Sequence, residues 1–166
     1  CLVIAALFNL PAARAVATDI SEGALALARA NAERNRVADR LDLVAADRLA
    51  LPHAVIPTGG FQVVVCNPPY IPKDAVAALD RAVKDFEPAI ALTDGGDGLS
   101  FYRSLAADAP RVLATDGVVI VEIADGQAPV VTEILTAGGA FHLHRSRKDT
   151  VVGKERALVF HRNPNR

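Results

Sequence analysis

Apolar and polar positions fall along the chain in blocks, and the period of the pattern changes from block to block. In Glu22 to Arg36, Leu25, Ala28, Ala32 and then Val37 recur at helical spacing, while Arg29, Glu33, Arg34 and Arg36 are left for solvent. Ser21 stands before this block as an N-cap. Ala13 to Ile20 and Leu41 to Ala46 are short apolar segments, each ending in an acid at Asp19 or Asp47, and both predict strands. Phe61 to Cys66 and Val118 to Ile123 are almost continuous apolar runs, the pattern of strands covered on both faces. Thr115-Asp116-Gly117 predicts a turn before the second run, and Leu49 to Gly60, with Pro52, Pro57, Gly59 and Gly60, predicts a loop. Ser100 to Leu113 and Ala128 to Thr136 predict helices, the latter closed by Gly138-Gly139. Phe141 to Ser146 and Arg156 to Arg162 predict a closing pair of strands.

Strand and helix in alternation, with fully buried strands, imply an α/β fold. The expected form is a doubly wound, mostly parallel sheet with an antiparallel C-terminal hairpin at one edge. In such sheets ligands lie at the carboxyl ends of the strands, which draws attention to Asp19, Asp47, Asn67 to Tyr70 and Glu122 to Gly126. The 166 residues fit one domain. With 51% hydrophobic and 22% charged residues, a disordered or fibrous chain is excluded. Eighteen Lys and Arg against nineteen Asp and Glu leave a net charge of −1, so no bulk attraction to nucleic acid exists. Two cysteines, Cys1 and Cys66, make no disulfide framework, and reduced thiols of a cytoplasmic protein are the simpler expectation. Apolar stretches are interrupted well before the roughly 18 residues of a membrane span. The chain opens on Cys1 and contains no methionine. The apolar run Cys1 to Leu10 is therefore expected to be a buried helix of a longer domain, truncated at its N-terminus.

The strand-end residues carry different amounts of information. Asp19 suits either a ribose diol or the cap of the following helix. Asp47 suits either an adenine amino group or a solvated loop. Asn67-Pro68-Pro69-Tyr70 says more. Two consecutive prolines fix φ twice and remove two N–H donors. The Asn67 side-chain oxygen and the Pro68 carbonyl are thus left to face outward as a rigid pair of acceptors, suited to an NH₂ group. Tyr70 adds a flat face for a planar amide or base. Asp94-Gly95-Gly96-Asp97-Gly98 lacks the Lys and Ser/Thr of a phosphate loop and is expected to be a flexible turn, with Asp97 capping the next helix. His53, His142, His144 and His161 show no metal spacing, and His142 and His144 suit a solvated edge. Cys66 suits a buried core position, and Arg145, Arg147 and Lys148 a solvated loop.

Asn67-Pro68-Pro69-Tyr70 at a strand end resembles the signature of methyltransferases that act on planar nitrogen with S-adenosylmethionine. Several further motifs follow in order: Ile71-Pro72, Phe86-Glu87-Pro88-Ala89, Asp94 to Leu99, Phe101-Tyr102-Arg103, Val121-Glu122-Ile123 and Gly126-Gln127. Together they are similar to the release-factor glutamine methyltransferases, from Cys1 to about Phe160. That resemblance implies a class I, Rossmann-like methyltransferase domain over residues 1–166, without its first strand, its glycine-rich loop and the family's N-terminal helical domain. It implies methyl transfer from S-adenosylmethionine to the side-chain amide of a Gly-Gly-Gln glutamine in a release factor, hence protein methylation in translation termination. By the same resemblance Asn67, Pro68, Pro69 and Tyr70 are catalytic. Asp19, Ile20, Asp47, Arg48 and Asn67 border the cofactor, while Asn67 to Tyr70 with Phe86 and Glu87 border the glutamine. No metal, no membrane and no direct nucleic-acid partner are expected. Without the family's central first strand, its second and fourth strands each keep an open edge, and weak cofactor binding by these residues alone is the expectation. Two other readings stay open: an adenine-N6 or cytosine-N4 methyltransferase on nucleic acid, and a non-catalytic remnant of the fold.

Overall fold

The computed structural model describes residues 1–164 and divides into two compact units, Cys1–Pro57 and a second that begins at Thr58. The first unit is a βαβ crossover preceded by a helix. Helix α1 (Leu2–Asn9) buries Ile4 and Leu7, one turn apart, and leaves Leu2 and Phe8 exposed. Strand β1 (Ala15–Asp19) pairs in parallel with β2 (Leu41–Ala45), with Asp19 opposite Ala45. Between them runs α2 (Glu22–Arg34), where the Ser21 hydroxyl accepts from Ala24 N. Glu22 in the first turn and Arg34 in the last both complement the helix dipole. The core consists of Ile4, Leu7, Ala32, Val37 and Leu41. Arg40 ties the end of α1 to the segment before β1 by donating to the carbonyls of Leu7 (2.8 Å), in the last turn of the helix, and of Leu10 (3.0 Å) and Ala13 (3.0 Å) beyond it.

The second unit is a four-stranded sheet in the order β3-β4-β6-β5. Strand β3 (Phe61–Cys66) is followed by three short helical segments, among them α3 (Arg81–Lys84) and α4 (Ala89–Leu92). Helix α5 (Ser100–Val112) then leads into β4 (Leu113–Glu122). β3 and β4 are parallel, as a helical crossover requires. Helix α6 (Ala128–Thr136) leads to β5 (Phe141–Lys148) and β6 (Glu155–Arg162), which turn back as an antiparallel hairpin, and β6 also pairs antiparallel with β4. α5 buries Tyr102, Leu105, Ala109 and Val112 at helical spacing, and α6 buries Ala128, Val131 and Leu135. The two helices pack on one another and on the sheet.

Two differences from the sequence pattern have physical causes. The apolar runs are not covered equally on both faces. In β4, Val119 and Val121 are fully buried, whereas Val118, Ile120 and Glu122 are only partly buried; in β3, Val63 and Val65 are 49% exposed. Continuous valine there reflects strand preference as much as burial. Thr115-Asp116-Gly117 is no turn. β4 runs through it, and the slip appears instead as a register shift, with Phe61 opposite Leu113 and Val63 opposite Val118. As expected, β1 pairs only with β2, and β3 only with β4, so among the described residues each keeps one unpaired edge. Among the described residues no helix is long and apolar enough to cross a membrane.

Candidate functional site

The carboxyl end of β3 delivers the chain into Asn67-Pro68-Pro69-Tyr70, and the four residues divide into two halves. Asn67 is exposed, whereas the Pro68 residue as a whole is buried. Among the described residues neither the Asn67 side chain nor the Pro68 carbonyl accepts a hydrogen bond from the protein. Pro69 and Tyr70 are both half-buried. The prolines account for the first half: no local N–H exists to occupy the carbonyls, and φ is fixed at both positions. The result is a pair of unspent acceptors on a stiff backbone.

Tyr70, by contrast, is bonded on every side. Its hydroxyl donates to Glu122 Oε1 at 3.0 Å, and its carbonyl accepts from Gln127 Nε2 at 3.0 Å. Gln127 is itself held, because its Oε1 accepts from Ala124 N at 2.9 Å. The fully buried Tyr102 donates its hydroxyl to the Glu122 carbonyl at 2.7 Å and so fixes the end of β4. Tyr70 also forms an antiparallel bridge to Thr93, and Ile71 N donates to Leu92 O at 3.0 Å. Burial raises the Tyr70 phenol above its ordinary range. The hydrogen bond to Glu122 and that residue's negative charge add to the rise, and Arg156 opposes it. The phenol is therefore a donor at neutral pH, not a base.

The turn from Asp94 to Ser100 presses on the same residue. Gly98 has φ +76°, and a Cβ built there would lie 2.2 Å from the Tyr70 carbonyl oxygen and 3.2 Å from Pro72 N. Only glycine lets the two backbones approach this closely. The turn is not flexible. Asp94 Oδ1 accepts from Gly96 N (2.8 Å) and Gly98 N (3.0 Å), and Oδ2 from Ser100 N (2.9 Å). Burial acts against ionisation of Asp94, but the bonds from Ser100, Gly96 and Gly98 outweigh it and hold the carboxyl well below the usual range. Asp97 accepts from Leu99 N at 3.0 Å and pairs with Arg103 at 2.6 Å. Asp94, rather than Asp97, bonds the first amide of α5.

In the first unit, Asp19 ends β1 with an exposed carboxylate whose Oδ1 accepts from Ser21 N at 2.8 Å. Ser21, not Asp19, caps α2. Ile20 follows, 54% exposed. Asp47 lies two residues beyond β2, and its carboxylate stands 3.6 Å from Arg48 Nε. Thr18 on β1 reaches the same loop by donating to the Arg48 carbonyl at 2.9 Å. The two acids thus sit at the carboxyl ends of adjacent parallel strands. Phe86 and Glu87 follow α3 and are both exposed, Phe86 at 84%. Among the described residues no hydrogen bond joins either of them to Asn67–Tyr70.

Cys66, just before the motif, is no nucleophile: burial pushes its thiol up to about 12. Among the described residues no cluster of three or more His, Cys, Asp or Glu is placed to hold a metal. The histidines of the hairpin face one another instead, with His144 and His161 ring centres 4.5 Å apart. Sequence reasoning did not single out the roles of Asp94, Gly98 and Gln127. An Asp followed by Gly-Gly is an Asx-turn signal for the first two; nothing local marks the third.

A model for a methyltransferase domain matches residues 1–88. The chain is 38% identical over 162 residues to the release factor glutamine methyltransferase of Rhodospirillum rubrum, covering 98% of this chain and 48% of that protein. It is 37% identical over 163 residues to the protein of the same name from Bradyrhizobium diazoefficiens, covering 98% and 53%. The chain thus spans about half the length of the curated relatives it matches. Among solved structures it is similar to a methyltransferase from Pyrococcus furiosus, with a TM-score of 0.66 at 20% identity, covering 98% of this chain and 69% of that one. A ribosomal protein L11 methylase from Lactobacillus delbrueckii gives 0.62 at 24%, covering 98% and 64%. At these identities the two structures bear on the fold alone.

Proposed function

We propose, for a chain that belongs to the methyltransferase domain family, that it forms part of an S-adenosylmethionine-dependent enzyme that methylates the side-chain amide nitrogen of a glutamine in a peptide-chain release factor. The observation that carries this reading is the division of Asn67–Tyr70 into an unbonded acceptor pair and an anchored tyrosine. A carboxamide NH₂ offers two hydrogens, and Asn67 Oδ1 and the Pro68 carbonyl offer two acceptors. The residues of the first unit fit the cofactor by their chemistry: Asp19 presents acceptor oxygens suited to a ribose diol, and Asp47 one suited to an adenine amino group. Ile20 and Arg48 border them.

When bound, S-adenosylmethionine supplies an electrophilic methyl group on a sulfonium that departs as a neutral thioether. An amide nitrogen is a poor nucleophile because its lone pair is delocalised into the carbonyl. Asn67 and Pro68, accepting from both N–H bonds, orient that lone pair and favour the pyramidal nitrogen. They also meet the positive charge that develops on it with two oxygens already in place. Tyr70 packs its ring against the planar amide. No strong base is needed before transfer, since the surplus proton leaves afterwards to water, which agrees with the unreactive Cys66 beside the motif. Phe86 and Glu87 are proposed to touch the substrate chain around the glutamine.

The test is to incubate the full-length gene product with methyl-labelled cofactor and either a release factor or duplex DNA. Label is expected in the glutamine amide of the factor. Label in DNA and none in the factor refutes the reading.

A further inference from the structure

Among the hydrogen bonds around the motif, two side chains reach it from far along the chain and touch neither of the free acceptors. Gln127 reaches Tyr70 across 57 residues, and Glu122 receives its hydroxyl across 52. Resting on the function proposed above, we infer that Gln127 and Glu122 are positioning residues, which set the direction of the Asn67–Pro68 acceptor pair by holding Tyr70 at its carbonyl and at its hydroxyl.

Four features carry this. First, Gln127 uses both ends of its amide, taking Ala124 N on Oε1 and giving Nε2 to Tyr70 O, so its orientation is fixed by the β4–α6 connection. Second, Glu122 is the last residue of β4, and its own carbonyl is held by the buried Tyr102, so the carboxylate that receives Tyr70 stands on a fixed base. Third, the Gly98 backbone closes the remaining side of the Tyr70 carbonyl and leaves it no room to turn that way. Fourth, Pro69 couples anchor to acceptors: of the torsions between the Pro68 carbonyl and Tyr70, the pyrrolidine ring locks φ of Pro69, leaving ψ of Pro69 and φ of Tyr70. With one of three torsions removed, a rotation at Tyr70 is passed in part to the acceptors. An acceptor pair displaced by about 1 Å loses on the order of a hundredfold in rate when its role is orientation.

The experiment uses the full-length gene product, a release factor substrate and steady-state kinetics, with cofactor binding measured by calorimetry. Gln127→Ala is expected to lower kcat by about 10–100-fold while the Kd for S-adenosylmethionine stays within twofold. Gln127→Glu separates positioning from bulk packing. The ionised carboxyl keeps the acceptor for Ala124 N but has no hydrogen for the Tyr70 carbonyl. Once protonated it regains one, so its rate relative to wild type should climb as pH falls toward about 6. A purely structural role gives no such recovery. Glu122→Gln, which still offers an oxygen to the phenol, should recover most of the rate lost in Glu122→Ala. Tyr70→Phe combined with Glu122→Ala should be no slower than the worse single variant, because both remove one bond. This cycle decides the matter if Gln127→Ala fails to fold. Asn67→Ala is run alongside. Full rate in the Gln127 variants with a slow Asn67→Ala, or additive losses in the cycle, overturns the positioning role and leaves the motif reading intact. Full rate in Asn67→Ala overturns both.

Discussion

Gly98→Ala isolates the contact between the Asp94–Ser100 turn and the motif. The added Cβ would sit 2.2 Å from the Tyr70 carbonyl oxygen, where ordinary contact begins at 3.4 Å. The Tyr70 carbonyl must retreat by about 1 Å, and the 3.0 Å bond from Gln127 is lost with it. Left-handed backbone at a non-glycine residue adds about 1–3 kcal/mol, and the lost bond about 1 kcal/mol. Together these predict a fall in Tm of roughly 5–15 °C for a domain of this size. The rate should drop about a hundredfold, through the displaced acceptors. Gly95→Ala is the internal control. Its φ of +78° carries the same conformational cost, but nothing lies within 4 Å of its Cβ. It should lower Tm by a few degrees and keep the methylation rate. Thermal melts and methylation assays on both variants give the answer. Equal rate losses in the two, or a wild-type rate for Gly98→Ala, would refute the clash as the cause.

Other outcomes follow from the same geometry. Asn67→Ala should cut kcat by about 10²–10³-fold with little change in Tm, measured by methylation and melting. The depressed Asp94 carboxyl contributes stability above its unfolded pKa of about 4 and loses it as pH falls through the lower folded value. The Tm gap between wild type and Asp94→Asn should therefore shrink as pH is taken from 7 toward 3; a constant gap would show that the charge is irrelevant. Tyr102→Phe removes the hydroxyl that the fully buried Tyr102 donates to the carbonyl of half-buried Glu122 at 2.7 Å and should cost about 1 kcal/mol in urea unfolding. With its thiol at about 12, Cys66 should resist iodoacetamide at pH 8 until the protein is unfolded, while the exposed Cys1 reacts, as peptide mapping would show.

Which features were legible in the sequence depends on the range of the interaction that makes them. Phe61–Cys66 and Ala128–Thr136 match their predicted limits because side-chain periodicity is a local property. The acceptor pair is equally local: two prolines delete the donors that would otherwise occupy it, and no distant residue is needed to see this. Thr115-Asp116-Gly117 misled because turn residues within five positions of each other cannot reveal that β3 is waiting to pair across the slip. The valines of β3 misled because composition alone cannot tell a strand packed on both faces from one paired along a single edge. The anchors were hidden more deeply. Gln127 and Glu122 act on a residue more than fifty positions away, and only the β3–β4 pairing brings them to it. Gly98 reads as an ordinary turn glycine until the Tyr70 carbonyl is found where its side chain would be. The short stiff motif proposed to carry the chemistry is thus visible in the sequence, whereas the contacts proposed to aim it are long-range and only the folded sheet assembles them.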